Sequence, residues 1–222
     1  MTIAIDGPAA AGKSTAARRV ARALGWRFLD TGAMYRAVTL EVLRRGVDPS
    51  SEEACGRVAE SVDLAFDGRE RILIDGVPGE PGIRSEEVTR AVSTVSAHPA
   101  VRSAVVREQR AAAAQLPPGK GIVAEGRDTT TVVFPDAAHK FFLIATPTER
   151  ARRRALELDQ LDRVDEILAD IERRDRLDTT RPDSPLVEAP DAVRIETDGL
   201  DVDGVVERIL AHVRGDAHGA RS

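Results

Sequence analysis

Residues 2–15 constrain this chain more than any other stretch. A short apolar run, Thr2-Ile3-Ala4-Ile5, ends at Asp6 and opens directly into Gly7-Pro8-Ala9-Ala10-Ala11-Gly12-Lys13-Ser14-Thr15, after which the residues favour a helix. From Gly7 to Ser14 the pattern is G-x-x-x-x-G-K-[ST], in the strand, loop, helix order that this pattern needs to mean anything. Two glycines let successive backbone N–H groups turn inward, and the positive end of the following helix faces the same point, so the loop is built to cradle phosphate oxygens. In such a P-loop, Lys13 supplies charge to the β and γ phosphates and the Ser14 hydroxyl is the expected protein ligand of Mg²⁺. The Ile-Ala-Ile run alternates too little for a half-exposed strand and suits a central parallel one, buried on both faces.

The rest of the chain alternates accordingly. A helix is expected over Ser14–Leu24, stopped by Gly25, then a strand over Trp26–Asp30 and a helix from Thr31, its expected N-cap, to about Arg45. Ser50 and Glu53 have capping-box spacing for a helix to about Ser61. Between Val62 and Ile83 the texture changes: Asp63–Phe66 and Arg71–Asp75, separated by Asp67-Gly68, predict a hairpin, and Ser85 begins another helix. This interruption looks like a lobe inserted into an α/β core. A helix over 99–115, strands over Gly121–Glu125 and Lys140–Ala145, a helix capped by Thr148, a mobile polar stretch over Asp159–Pro185, a strand over Ala192–Glu196, a helix over Val202–Val213 and a frayed tail over 215–222 complete the expectation.

Composition narrows the class of function. A length of 222 residues allows one core with inserted lobes, and a formal net charge of −5 argues against a broad nucleic-acid footprint. Lysine occurs only at positions 13, 120 and 140, and only Lys13 has a motif around it. The single Cys55 fits a reducing compartment, and the longest apolar run, Phe141–Ala145, falls far short of the ~20 residues of a membrane helix. A cytoplasmic protein without membrane partners is expected.

A P-loop alone leaves ATPase, GTPase and small-molecule kinase open. Three further clusters bear on the choice. Thr31-Gly32-Ala33-Met34-Tyr35-Arg36 puts an arginine one turn into a helix whose N-terminus already favours anions. Gly126-Arg127-Asp128 follows a strand, where open α/β sheets collect ligands; Arg127 can hold a phosphate and Asp128 can accept from an exocyclic amine. Arg173-Arg174-Asp175 through Asp178 to Arg181 is a dense charged run, and Arg150, Arg153 and Arg154 share a helix face. A GTP-dependent switch would need a guanine-reading N-K-x-D segment, and the chain contains no Asn.

These stretches, with Thr131-Val132-Val133-Phe134-Pro135-Asp136-Ala137 and Ser184-Pro185-Leu186, together resemble the bacterial cytidylate kinases, from Ile3 to about Val213. The resemblance implies an α/β P-loop core of three layers with a parallel sheet (residues 1–61, 98–155 and 182–222), a monophosphate-binding insert (62–97) and a helical lid (156–181). It implies a monomer that uses ATP with Mg²⁺ to phosphorylate CMP and dCMP, with UMP, AMP or another acceptor as alternatives. By resemblance, Gly7 to Thr15 with Arg150 and Arg154 bind ATP; Arg36, Arg127 and Arg181 grip the CMP phosphate; Ser93, Arg102 and Asp128 read cytosine, with Thr31 near the base; and Arg174 with Asp178 reads the sugar. Lys13, Arg127 and Arg181 would act on the transferred phosphoryl group. No strand ends in the usual metal-associated Asp, which leaves Glu125 as the candidate outer-sphere partner of Mg²⁺. Two positions depart from the family pattern: Ala10, where Gly or Ser is common and a negative φ would make Ala harmless, and Thr130, where Gly is usual and a positive φ would strain Thr.

Overall fold

The structure, a computed structural model, describes residues 1–219, with side chains to residue 215. Strands β1 (Thr2–Asp6), β2 (Arg27–Asp30), β6 (Ile122–Gly126), β7 (His139–Ile144) and β8 (Val193–Glu196) form a five-stranded sheet in the order β2-β6-β1-β7-β8. All its pairings are parallel. The β1 strand is therefore central, as its uniform apolarity requires. Period-two alternation then sorts side chains between two cores. Ile3, Ile5, Val123, Phe141 and Leu143 pack on one face with α1 (Lys13–Leu24) and α8 (Val202–Gly219). On the other face, Leu29, Ile122 and Ala124 pack with α2 (Thr31–Arg44), α3 (Glu52–Ser61) and α5 (Pro99–Ala114). Phe28, Phe141, Ile3 and Ile5 are completely buried, each such side chain contributing about 1.5–3 kcal/mol.

The predicted hairpin is present as β3 (Leu64–Phe66) and β4 (Ile72–Ile74), antiparallel, with a third strand β5 (Val77–Pro78) on its edge, where proline is tolerated. Helix α4 (Glu86–Val95) starts as expected, Ser85 Oγ accepting from the Val88 N–H. Three caps differ from expectation. Asp30, not Thr31, caps α2 by accepting from the Ala33 N–H at 2.8 Å, the Thr31 hydroxyl being taken up by the Glu125 carbonyl. No Ser50–Glu53 capping box forms: Ser50 turns back to Asp48, and Ser51 occupies the N-cap position of α3. Thr146 rather than Thr148 caps α6 (Pro147–Leu158), since Pro147 takes the first helical position and places Thr148 inside the turn.

The polar stretch expected to be mobile contains a 17-residue helix, α7 (Val164–Thr180), packed on α6. Few apolar anchors suffice because Ile171 is buried and ion pairs one turn apart, Arg163–Glu166 and Asp170–Arg173, line its surface. Helix α8 runs to Gly219, past the expected start of the tail, and residues 220–222 of that tail lie outside the described residues. Among the described residues no helix is long and apolar enough to cross a membrane.

Candidate active site

The glycine loop leaves β1 where the sheet has no room for a side chain. Gly7 has φ +149°, and a Cβ there would lie 2.0 Å from the Leu143 carbonyl oxygen on β7. At Gly12, φ +85°, the loop turns into the N-terminus of α1. Between them Ala10 has φ +58°, not the negative φ at which an alanine would be harmless. Left-handed backbone costs an L-residue about 1 kcal/mol, and the loop holds that strain at the phosphate cradle. Lys13 is buried and donates from Nζ to the Pro8 carbonyl at 2.7 Å, so its charge arches over the loop. Burial pushes its pKa down, seconded by Arg127, while Glu125, Asp6 and Asp178 oppose.

Beside it, Ser14 Oγ donates to Glu125 Oε1 at 2.7 Å. Glu125, next to last in β6, lies in register with Ile5 of β1 and Asp30 of β2, which places its carboxylate at the carboxyl edge of the sheet. Burial pushes its pKa up, Asp30 adds to the rise, and Lys13 opposes it. Hydroxyl and carboxylate oxygens side by side are hard donors of the kind Mg²⁺ takes, so the residues present fit that ion. Thr31 Oγ1 is not a helix cap; it donates to the Glu125 carbonyl at 2.6 Å and ties α2 to the strand end.

Opposite the loop stands a wall of arginines. Arg36 is buried and donates from Nη1 to the Ile83 carbonyl and to Thr89 Oγ1, both at 3.0 Å. Its pKa is pushed down to about 9 by burial and then by Arg174, Arg84 and Arg154, so positive charge is concentrated around it. Arg127 donates from Nε to Asp178 Oδ2 at 2.8 Å. Arg102 and Asp128 form a tight ion pair, each side chain 3% exposed, and Arg181 Nη2 lies 3.8 Å from Asp128 Oδ1. Burial raises the Asp128 pKa against the pull of Arg102 and then Arg181. The Arg102 guanidinium also lies 5.3 Å from the centre of the Tyr35 ring. Buried polar atoms of this wall, Arg102 Nε, Arg174 Nε and Arg181 Nη2, have no hydrogen-bond partner among the described residues. Unmet donors at that depth are costly unless a ligand oxygen meets them.

Loop and wall face one cavity of about 1190 Å³. It is lined by Ala9 to Thr15, by Thr31, Arg36, Ser93, Arg102, Arg127 and Asp128, and by Arg154, Arg174, Asp178 and Arg181. Of the anticipated residues, Gly7, Pro8 and Arg150 are not among those that line it. Arg150 is buried and its guanidinium is engaged: Nη1 reaches the Ala9 carbonyl (2.9 Å) and Asp175 Oδ2 (2.7 Å), and Nε the Ala145 carbonyl (3.0 Å). It holds the loop instead of facing the cavity. Asp175, marked beforehand only as part of the charged run, and Arg84, which pairs with Asp30 at 3.1 Å and was not anticipated, have partners far away in sequence.

A glycine loop of this geometry at the carboxyl end of a central parallel strand defines an α/β P-loop protein. The sequence model of the cytidylate kinase family matches residues 3–215, and the chain belongs to that family. It is 49% identical over 222 residues to the cytidylate kinase of Pelotomaculum thermopropionicum, covering 95% of each chain. It is 45% identical to that of Caldanaerobacter subterraneus, covering 98% of this chain and 96% of the relative. A bifunctional pantoate ligase/cytidylate kinase of Synechococcus sp. (strain CC9902) is 47% identical over 216 residues, of which the chain spans only 44% of the length. Among solved structures, TT1252 from Thermus thermophilus superimposes with a TM-score of 0.52 at 18% identity, over 97% of both chains, a likeness of fold.

Proposed function

We propose that this chain transfers the γ-phosphoryl group of ATP to CMP, and to dCMP, giving ADP and CDP or dCDP. One observation carries the reading: the glycine loop and the arginine wall line the same cavity, so a triphosphate cradled by Gly12, Lys13 and Ser14 ends opposite Arg36, Arg127 and Arg181. Relatives named cytidylate kinase over nearly their full length support the choice of acceptor. Ser93, Arg102 and Asp128 would read cytosine, Asp128 accepting from its exocyclic amine; Arg174 and Asp178 would read the sugar; Arg154 would approach ATP from the lid side. Residues 62–97 would form the acceptor lobe and 156–181 the lid, on a monomeric cytoplasmic enzyme.

The attacking group is a phosphate oxygen of CMP, largely dianionic near neutral pH, so no general base is needed. A bond forms from that oxygen to the γ-phosphorus as the bond to the β–γ bridging oxygen breaks, and ADP leaves. Lys13, Arg127 and Arg181 neutralise charge on the equatorial oxygens of a loose transition state. Ser14 would hold Mg²⁺, with Glu125 behind it; the ion, when bound, neutralises charge on the β- and γ-phosphate oxygens. Closure of the 156–181 hairpin excludes water.

The test is ADP release from ATP and Mg²⁺ with CMP, dCMP, UMP, AMP or no acceptor. Turnover with CMP and dCMP well above the others is expected, and Lys13→Ala or Arg181→Ala lowers it about 100-fold or more. Equal release without acceptor would make the protein an ATPase, and preference for UMP or AMP would reassign the base pocket.

A further inference from the structure

Asp6 is the last residue of β1, adjacent to the first glycine of the loop, and its side chain is completely buried. Oδ1 accepts from Thr129 N (2.9 Å) and Thr129 Oγ1 (2.5 Å), and Oδ2 from Thr130 N (2.7 Å) and Thr130 Oγ1 (2.6 Å). A carboxylate has about four acceptor positions, and here one short turn supplies a donor to each. That turn, residues 129–133, is a single turn of π-helix, a form that recurs at functional sites. Its carbonyl end is held from the other side: Arg110 of α5 donates from Nε to the Val133 carbonyl (3.1 Å) and from Nη2 to the Val132 carbonyl (2.7 Å). An anion thus sits at the N–H end and a cation at the carbonyl end, each matching the local dipole.

The residues immediately before the turn are Arg127 and Asp128. Asp128 is tied into it by its own carbonyl, which accepts from Val132 N (2.9 Å) and Val133 N (3.1 Å). Fixing the turn therefore fixes where the Asp128 carboxylate meets Arg102. Thr130, in the position where the family pattern has Gly, does not have left-handed backbone, and its hydroxyl is the donor a glycine would lack. We propose that Asp6 and Thr130, with Arg110 at the opposite end of the turn, are positioning residues that clamp the acceptor-reading pair Arg127-Asp128 onto the strand that carries the donor loop. The proposal rests on the two-substrate reading above.

Thr130→Val keeps the volume and removes the hydroxyl; Thr130→Ser restores it; Arg110→Gln loosens the turn from the other end. Calorimetry gives the affinity of each variant for CMP alone and for ATP alone, and hydrogen exchange reports amides 128–133 in the ligand-free protein. Loss of the hydroxyl's bond to the buried carboxylate in Thr130→Val, and of the guanidinium's bonds to two carbonyls in Arg110→Gln, should each weaken CMP binding about tenfold, leave ATP within about twofold, and speed exchange in the turn. Thr130→Ser should match the wild type. Unchanged CMP affinity in Thr130→Val, or equal weakening of both nucleotides, overturns the proposal, the latter because a merely structural role would not choose between them. If the wild type binds ATP but no pyrimidine monophosphate, the acceptor reading fails, and the exchange rates alone decide whether the clamp exists.

Discussion

Replacing Arg150 by methionine separates two roles that a basic residue beside a phosphate loop can have. If Arg150 gripped ATP, Arg150→Met would cost affinity and leave stability alone. The geometry says otherwise: the guanidinium is 4% exposed and spans the Ala9 carbonyl, the Ala145 carbonyl and the Asp175 carboxylate. Methionine fills similar space but removes the donor to two carbonyls and the cation paired with the Asp175 carboxylate, which keeps only the Ala9 N–H at 3.3 Å. At about 1 kcal/mol for each neutral acceptor and about 2 for the ionised one, the loss is about 4 kcal/mol. For a chain this long that lowers Tm by about 10 °C. Urea unfolding gives the stability change, and an ATP titration well below the new Tm gives affinity. The expected result is a stability loss of that size with an unchanged m-value, and a smaller change in ATP affinity that follows the slackened Ala9. Stability within about 1 kcal/mol of wild type together with more than tenfold weaker ATP binding would refute the reasoning and return Arg150 to the ATP-gripping role.

Three other outcomes follow from the site. Because burial raises the Glu125 pKa, the native state holds that proton above the ordinary carboxylate range where the unfolded chain has released it, so this group's contribution to stability falls as pH rises through that window. Urea midpoints of Glu125→Gln relative to wild type should therefore improve between pH 5 and 7.5, with weaker Mg²⁺ dependence of turnover; a constant offset and unchanged Mg²⁺ dependence would remove both roles. In Gly126→Ala, the new Cβ would lie 2.4 Å from Thr31 Oγ1 and 2.9 Å from Thr129 Cγ2, so a loss of about 1–3 kcal/mol by thermal or urea unfolding is expected. The mutual repulsion around Arg36 predicts that inorganic phosphate raises Tm more than chloride at equal ionic strength, and that Arg36→Ala abolishes the difference.

The loop, its strand and the helix behind it were legible because their signal is local: apolar run, glycines and Lys13 fall within thirteen residues, 3–15. The convergence of Arg36, Arg127 and Arg181 was legible only through the resemblance, since nothing in their spacing says that a sheet edge brings them together. What misled was competition among equivalent candidates. Asp30 and Thr31 can both cap, as can Thr146 and Thr148, and tertiary demands decided: Thr31 was needed by the Glu125 carbonyl and Pro147 fixed the helix start. Whether Ala10 is harmless turned on the sign of φ, which sequence does not report. The hold of Arg150 on Ala9 and Asp175 could not be read because these partners are remote in the chain. Thr130 looked like a source of strain, yet its backbone is not left-handed and its hydroxyl meets Asp6.

The central position of β1 has a consequence for synthesis. Its partners are β6, in register from Ile122 to Gly126, and β7, from His139 to Phe142. On a ribosome the segment that forms the phosphate cradle emerges before either neighbouring strand, and neither of them exists until more than a hundred further residues have been added. At roughly 5–20 residues per second that is a delay of several seconds. Until then Ile3, Ala4 and Ile5 have an unpaired edge on each side, and the backbone N–H groups of the loop have no fixed direction. Nucleotide capture is thus a late event in this chain's maturation. The sequence order of the motif and the order in which it becomes competent are nearly reversed, and the closure of so long a loop is expected to set the pace of refolding.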